Sequence, residues 1–265
     1  MESFFNNLDV RAVFKAILDP FVIFTRVQGK DDGSYGIRQV YCPTWRITIL
    51  EIMFGKELVS WFVASDTSSA LLGKTQQQVS SRMMELRPYH KYCLDYSKFD
   101  QTLNPYVLLT AFDMVSQRLE LSDFMHRIFW MLVSHICLGR IYHPSADFSK
   151  RTRGMMSGSY FTNIIDSICN LIIIWYAIYA CGYQHSVAKI IVHGDDLIIC
   201  TKSPIDISKL SAPIAEIGMG YKASAEHSIP AGVDKVHFLG SEWCCGKPER
   251  SIVRMGLSAI HLKSR

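Results

Sequence analysis

Two adjacent carboxylates, Asp195 and Asp196, follow Gly194 between two runs that are almost wholly apolar, Ile190-Ile191-Val192-His193 and Leu197-Ile198-Ile199-Cys200. Like charges this close repel in a low-dielectric surrounding, so the arrangement asks for a cation or a basic partner. An Asp-rich hairpin turn alone is ordinary turn chemistry; apolar flanks on both sides favour an ion. A second acidic pair lies upstream in Asp95-Tyr96-Ser97-Lys98-Phe99-Asp100, where Asp95 ends the apolar run Tyr92-Cys93-Leu94. Taken alone it reads as a strand end and a helix cap. Taken with Asp195 it sets carboxylates from neighbouring strand ends at one sheet edge. That geometry can bridge two Mg²⁺ ions about 3.5–4 Å apart, the clamp of in-line phosphoryl transfer.

A third segment runs Arg151-Thr152-Arg153-Gly154-Met155-Met156-Ser157-Gly158-Ser159-Tyr160-Phe161-Thr162. It brings two arginines, two glycines and small hydroxyls to the start of a helix, groups that suit phosphate and ribose oxygens. Thr162, Asp166 and Asn170 follow at i, i+4 and i+8, a polar line on an otherwise apolar helix. For Asp166 and Asn170, bonding to neighbouring backbone explains the pattern equally well.

These residues need elements to position them. Tyr92 to Asp95 reads as a short buried strand running into a turn. Asn104 caps a helix with Pro105 at its first position and Val107, Leu108, Ala111, Phe112 and Val115 along its apolar stripe. A second helix follows Ser122, with Phe124, Ile128, Leu132 and Ile136 on one face. Gly139 to Tyr142 reads as a strand, Ser149 to Gly158 as a basic loop, and Tyr160 to Ala180 as a long helix. Two buried strands flank the Gly194-Asp195-Asp196 turn. A helix from Ile207 to Ile217 stops at Gly218, and Val236 to Leu239 with Glu242 to Cys244 suggests a last hairpin. Earlier, Val10 to Phe24 looks helical until Pro20, Gly29 to Gly36 is a polar loop, and Ile47 to Phe62 has helical spacing. This order predicts an α+β fold, a small, mainly antiparallel sheet with helices packed on one face.

The 265 residues are 49% hydrophobic and 20% charged, which excludes a disordered tail, a collagenous rod or a coiled coil. A formal charge of +4 permits a nucleic-acid partner without demanding one. The eight cysteines are scattered and form no C-x-x-C pair, so buried reduced thiols are expected rather than a zinc site. Met1 to Asn7 shows no basic segment leading into an apolar one, so no secretory signal is expected. The longest apolar stretch, Leu171 to Cys181, falls short of the ~20 residues of a spanning helix, so no membrane span is expected.

In order, Asp95-x4-Asp100, Ser157-Gly158-x3-Thr162 and Gly194-Asp195-Asp196 resemble motifs A, B and C of the palm of viral RNA-dependent RNA polymerases. The wording Asp-Tyr-Ser-Lys-Phe-Asp and Ser-Gly-Ser-Tyr-Phe-Thr-Asn most resembles the partitivirus type, from double-stranded RNA viruses. Upstream, Ile37-Arg38-Gln39-Val40-Tyr41, followed by a helix containing Glu51 and Phe54, is similar to motif F. Downstream, Phe238-Leu239-Gly240-Ser241-Glu242-Trp243 is similar to motif E. The resemblance covers about residues 35 to 245, and three spaced motifs in order are far more specific than any one.

The resemblance implies that Asp95 and Asp195 bridge the metals and that Asp196 is a supporting acid. It sets Asp100, Ser157 and Thr162 where the family recognises the ribose, gives Gly158 loop mobility, and has Arg38 contact the triphosphate. Arg151 and Arg153 would track RNA. A carboxylate such as Asp100 can accept a bond from a 2′-hydroxyl, the group that marks RNA precursors. The wider family often has Asn four residues after the motif B threonine; here that place is Asp166, with Asn170 one turn later. Either Asn170 serves the ribose or the relay to Asp100 is built differently. Motif D usually offers a lysine as general acid; His227 is nearest to its place and Lys222 competes.

The expected architecture is a right-hand palm with part of the fingers: residues 1–90 as partial fingers, 91–245 as palm, and 246–265 as the start of a truncated thumb-side region. Such polymerases are usually much longer, so the chain resembles a fragment. The expected function is template-directed RNA synthesis with Mg²⁺, for which Mn²⁺ can substitute. RNA template, nascent RNA and nucleoside triphosphates would be its partners, with a capsid protein as a further one, in the host cytoplasm within a viral particle or replication complex. A reverse-transcriptase-like palm, or a non-catalytic RNA-binding palm fragment, are the alternatives.

Overall fold

The acidic strand and the acidic turn fall in one antiparallel sheet of the computed structural model, which describes residues 19–29, 35–65, 69–143, 146–150, 153–222 and 228–249. Arg151 and His227 lie outside the described residues, as do the side chains of Arg38 and Lys222. Along the chain come β1 (Phe21–Gly29), β2 (Tyr35–Cys42), α1 (Trp45–Ala64), α2 (Gln76–Met84), β3 (His90–Ser97), α3 (Phe99–Thr102), α4 (Pro105–Ser116) and α5 (Asp123–Leu138). Next are β4 (Arg140–His143), β5 (Ala146–Lys150), α6 (Thr162–Ala180), β6 (Val187–His193), β7 (Asp196–Thr201), a 3₁₀ turn (Ile207–Leu210) and α7 (Ser211–Glu216). Last come β8 (Gly220–Lys222), β9 (Ser228–Ile229), β10 (Lys235–Phe238), β11 (Ser241–Cys244) and β12 (Lys247–Glu249).

The central sheet has the order β6-β7-β3-β8, with β9 also paired to β3. Alternation along its strands divides the core in two. Tyr92, Leu94, Tyr96, Ile190, Val192, Leu197 and Ile199 join the larger cluster with α4, α5, α6 and α7. Cys93, Ile191, Ile198 and Cys200 face the other way, onto Val79 and Met83 of α2 and onto Val236, Phe238 and Trp243 of the last hairpin. The large helices lie on one face as the pattern predicts, and a short helix with a hairpin closes the opposite face. Two smaller sheets flank it, β2-β1-β4-β5 and β10-β11-β12.

Local chemistry accounts for most boundaries. Asn104 accepts a hydrogen bond from the Tyr106 N–H at 2.9 Å, and Pro105 opens α4. Thr75 and Gln78 form a capping box on α2. In α5 the buried stripe is Met125, Ile128, Phe129, Leu132, Val133 and Ile136, and Phe124 is exposed. Phe124 lies in the first turn at the margin of that stripe, which corrects its expected place. The stretch from Phe21 to Phe24 is strand, not helix, because its β-branched and aromatic residues pair with β2. Gly29, Tyr35 and Gly36 belong to strands, and Ser149 to β5. The expected helix from Ile207 divides into a 3₁₀ turn and α7, with Pro213 in the first turn of α7, where its missing N–H costs nothing.

The α6 helix has 19 residues and a mean hydropathy of 1.5, long and apolar enough to cross a membrane by length and composition. Ile164, Ile165, Cys169, Ile173, Ile174, Ala177 and Ile178 are buried within the core, as are the polar Asp166, Ser167 and Asn170. It is the central helix of the fold. All eight cysteines are free thiols, and Cys93, Cys137, Cys169 and Cys200 are buried.

Candidate active site

Strands β3 and β7 pair antiparallel with Leu94 against Leu197. One more step of that register sets Asp95 opposite Asp196. Asp195 occupies the two-residue turn between β6 and β7, closed by the His193–Asp196 pair. Gly194 is first in that turn with φ 62°, a left-handed conformation that favours glycine and suits a type II′ hairpin. Asp95 is exposed, whereas Asp195 and Asp196 are half-buried. On its other edge, Asp95 pairs with the backbone of Lys222. All three acidic residues therefore meet at one end of the sheet, and their oxygen donors suit a hard divalent cation. Among the described residues, no three His, Cys, Asp or Glu side chains converge on a single point.

Polar residues of α6 grip the turn from beneath. Asn163, Ser167 and Asn170 recur at i, i+4 and i+7, on one face of the helix. Ser167 Oγ accepts from the Gly194 N–H at 2.8 Å and donates to the Asn163 carbonyl at 2.7 Å. Asn170 Nδ2 donates to the carbonyls of Gly194 at 3.0 Å and Asp195 at 3.2 Å, while its Oδ1 accepts from the Tyr96 hydroxyl at 3.1 Å. Asn163 Nδ2 lies 2.9 Å from His193 Nε2. Burial pushes the His193 imidazole down, which suits a neutral ring accepting that bond.

Of the two readings of Asn170, the structure displays the backbone bonding: the residue is fully buried, and its amide joins β3 to the acidic turn. The polar line that matters is Asn163-Ser167-Asn170 rather than Thr162-Asp166-Asn170. Thr162 turns its hydroxyl toward the carbonyls of Met156 at 2.6 Å and Ser159 at 2.7 Å, closing the loop before the helix. Asp166 is buried inside the core.

Asp100 sits on α3, which begins after Lys98 in a left-handed conformation of φ 55°. Its carbonyl accepts from the Met155 N–H at 2.7 Å, and the Leu103 carbonyl accepts from Gly154 at 2.8 Å. Those two bonds stitch the segment after β3 to the loop before α6. Next in that loop, Gly158 donates to the Tyr41 carbonyl at 3.0 Å, and Ser157 Oγ accepts from the Tyr41 N–H at 3.4 Å. A Cβ on Gly158 would lie 2.4 Å from the Tyr41 oxygen, so close approach to β2 requires glycine there.

Glu51 of α1, to which motif reading assigns no role, bonds the loop before α6. It is fully buried, accepting from Ser159 Oγ at 2.7 Å and from the Tyr160 N–H at 2.8 Å. Burial pushes its carboxyl up to about 7, partly offset by these two bonds. A glutamate on the apolar face that includes Ile47, Leu50, Phe54 and Leu58 is the signal that could have found it. Of the basic residues, Arg38 lies on β2 opposite Arg26, and Arg153 is exposed at the loop's start.

Residues 37–255 match the family model of viral RNA-dependent RNA polymerases. The chain belongs to this family. Among relatives of this polymerase chain, the genome polyprotein of Ljunganvirus 1 is 28% identical over 159 residues, covering 58% of the chain and 7% of the polyprotein. That of Papaya ringspot virus (strain P / mutant HA 5-1) is 27% identical over 143 residues, covering 51% and 21%. An insertion-loop deletion mutant of the RNA-dependent RNA polymerase of a human picorbirnavirus has a similar fold, with TM-score 0.72 at 17% identity over 89% of the chain. The Sicinivirus 3Dpol RNA-dependent RNA polymerase gives 0.67 at 17% over 87%. The chain spans 48% and 52% of those two solved polymerases, about half of each. Family membership favours the RNA polymerase over the reverse-transcriptase alternative.

Proposed function

We propose that this chain is the palm and part of the fingers of an enzyme that adds ribonucleoside monophosphates from nucleoside triphosphates to an RNA 3′-hydroxyl, directed by an RNA template, in viral replication and transcription. The observation that carries this reading is the register that brings Asp95, Asp195 and Asp196 to one sheet end. Residues 1–90 would contribute fingers, 91–245 the palm, and 246–265 the approach to a thumb. Mg²⁺, or Mn²⁺ in its place, would be held by Asp95 and Asp195 with Asp196 in support, and when bound would lower the pKa of the 3′-hydroxyl and stabilise triphosphate charge.

The chain's own groups then orient the reactants. Asp100, on α3, accepts the ribose 2′-hydroxyl together with Ser157 and Thr162, and Thr162 also closes the loop that carries Ser157. Arg38 pairs with the triphosphate, and Arg151 and Arg153 lie along the RNA backbone. His227 or Lys222 donates the proton to departing pyrophosphate. The working place would be the host cytoplasm, in a viral particle or replication complex where capsid protein is a neighbour.

Two measurements test the reading. Mn²⁺ titration followed by electron paramagnetic resonance should show binding that Asp195→Asn weakens, with circular dichroism unchanged. In a primer-extension assay of the chain in its natural protein context, the same variant should lose at least about a thousandfold in incorporation. Parent-level extension by Asp195→Asn would refute the metal assignment. Asp100→Ala should lower the ribo-to-deoxyribonucleotide ratio of kcat/KM by about a hundredfold, because a site built to bond a hydroxyl rejects its absence.

A further inference from the structure

We infer that Glu51 is a positioning residue that latches the Ser157–Phe161 loop to the fingers-side helix α1, and so sets the shape in which that loop meets the nucleotide. The nucleotide clause rests on the polymerase reading above; the latch itself does not. Several independent contacts point to it. Glu51 is wholly buried, and its two oxygens divide between two consecutive residues of the loop, Ser159 and Tyr160. Four residues along the same helix, Gly55 leaves room for the Tyr160 ring: a Cβ there would lie 2.5 Å from it. Ser159 Oγ also accepts from the Phe161 N–H at 3.2 Å, so the bond to Glu51 orients a hydroxyl that in turn fixes the next amide. Phe161 itself is fully buried, edge-on to Phe112 and Phe129.

The loop is thus held at both ends by different means. Its start, Ser157 and Gly158, lies on the Tyr41 backbone, and its end is anchored by the Phe161 ring. Between them Glu51 accepts the Ser159 hydroxyl and the Tyr160 N–H, while the Ser159 N–H is taken by the Met156 carbonyl at 3.0 Å. A hydrophobic residue could fill the volume at position 51, but only an acceptor pair can dictate which way the Ser159 hydroxyl and the Tyr160 N–H point. That directional role separates the latch from simple packing.

Hydrogen–deuterium exchange on the chain tests the latch without any need for activity. Glu51→Ala should lower protection of the Tyr160 and Phe161 amides at least about tenfold while the α4 amides keep theirs. Glu51→Gln should recover the Tyr160 amide, because its carbonyl oxygen keeps that acceptor. In the Glu51→Ala background, Ser159→Ala should add a loss only at the Phe161 amide, whose acceptor Ser159 supplies itself, and none at the Tyr160 amide. In primer extension, Glu51→Ala should raise the KM for nucleoside triphosphate about tenfold with kcat changed far less, and Glu57→Gln, exposed on the same helix, should match the parent. Should Glu51→Ala not fold, Ser159→Ala alone, which frees one Glu51 oxygen, should still lower protection of the Tyr160 amide that the other oxygen accepts. Unchanged loop protection, or a loss spread evenly over α1, α4 and α6, overturns the latch. Loop-specific exchange in a chain that makes no RNA in any context would support the latch and sink the polymerase reading instead.

Discussion

The β6–β7 turn and the Ser157–Phe161 loop are both shaped from a helix, yet by opposite means. Uncharged groups hold the turn: the Asn163, Ser167 and Asn170 side chains of α6 supply four bonds to His193, Gly194 and Asp195. One ionisable carboxyl, Glu51, holds the middle of the loop from α1, in a distant part of the chain. The turn should therefore be indifferent to pH across the neutral range. The loop's anchor is a group that titrates there. On the proposed function, the rigid hold lies where carboxylates are presented and the titratable one where the nucleotide enters.

Asn170→Ala should break the turn side most severely. It strands the Tyr96 hydroxyl and two carbonyls and leaves a void, for a cost of about 4 kcal/mol in urea unfolding that does not vary between pH 7 and 8. A loss below about 1 kcal/mol would mean water replaces the amide at no cost.

The loop side carries its own signature. The folded Glu51 carboxyl is raised to about 7 from an ordinary 4.5. Its contribution to stability is complete below about 4.5 and is lost as pH rises through about 7, because the unfolded chain ionises first. The parent should thus lose up to about 3 kcal/mol relative to Glu51→Gln over that window. Urea midpoints of the two proteins at several pH values check this, and parallel curves would contradict the burial of an ionising group.

Gly158→Ala should cost about 2 kcal/mol, since the added methyl must displace the Tyr41 backbone. Ser167→Ala should cost about 1 kcal/mol, the smallest of the four effects, by releasing the Gly194 N–H. Thermal unfolding ranks the pair, and the reverse order would make the turn the more tightly packed of the two regions.

Local signals made part of this fold legible. Asn104-Pro105 marked α4, and an acidic dipeptide between apolar runs marked the β6–β7 hairpin, because caps and tight turns are written in consecutive residues. The strands β8 and β9 carry no such mark: three and two residues long, they are strands only because β3 offers an edge. Asn170 is legible as polar, with backbone bonding one of its two readings, but which backbone it meets is not, since its partners are carbonyls of a turn about 25 residues away and backbone leaves no trace in residue type. Glu51 stood in view without a role because Ser159 is 108 positions distant. Residue type announces that chemistry is possible; only the register decides which groups meet.

Strand β3 pairs with β7, β8 and β9, all of which follow it by roughly a hundred residues or more. During synthesis at about 5–20 residues per second, β3 therefore emerges on the order of 5–20 s before the first of these partners exists. Over that interval a segment apolar on both faces, Tyr92-Cys93-Leu94, has both edges open, the profile of a strand that pairs with the wrong chain. Assembly of the acidic centre is timed by translation: Asp95 has no sheet to stand in until Asp196 has left the ribosome.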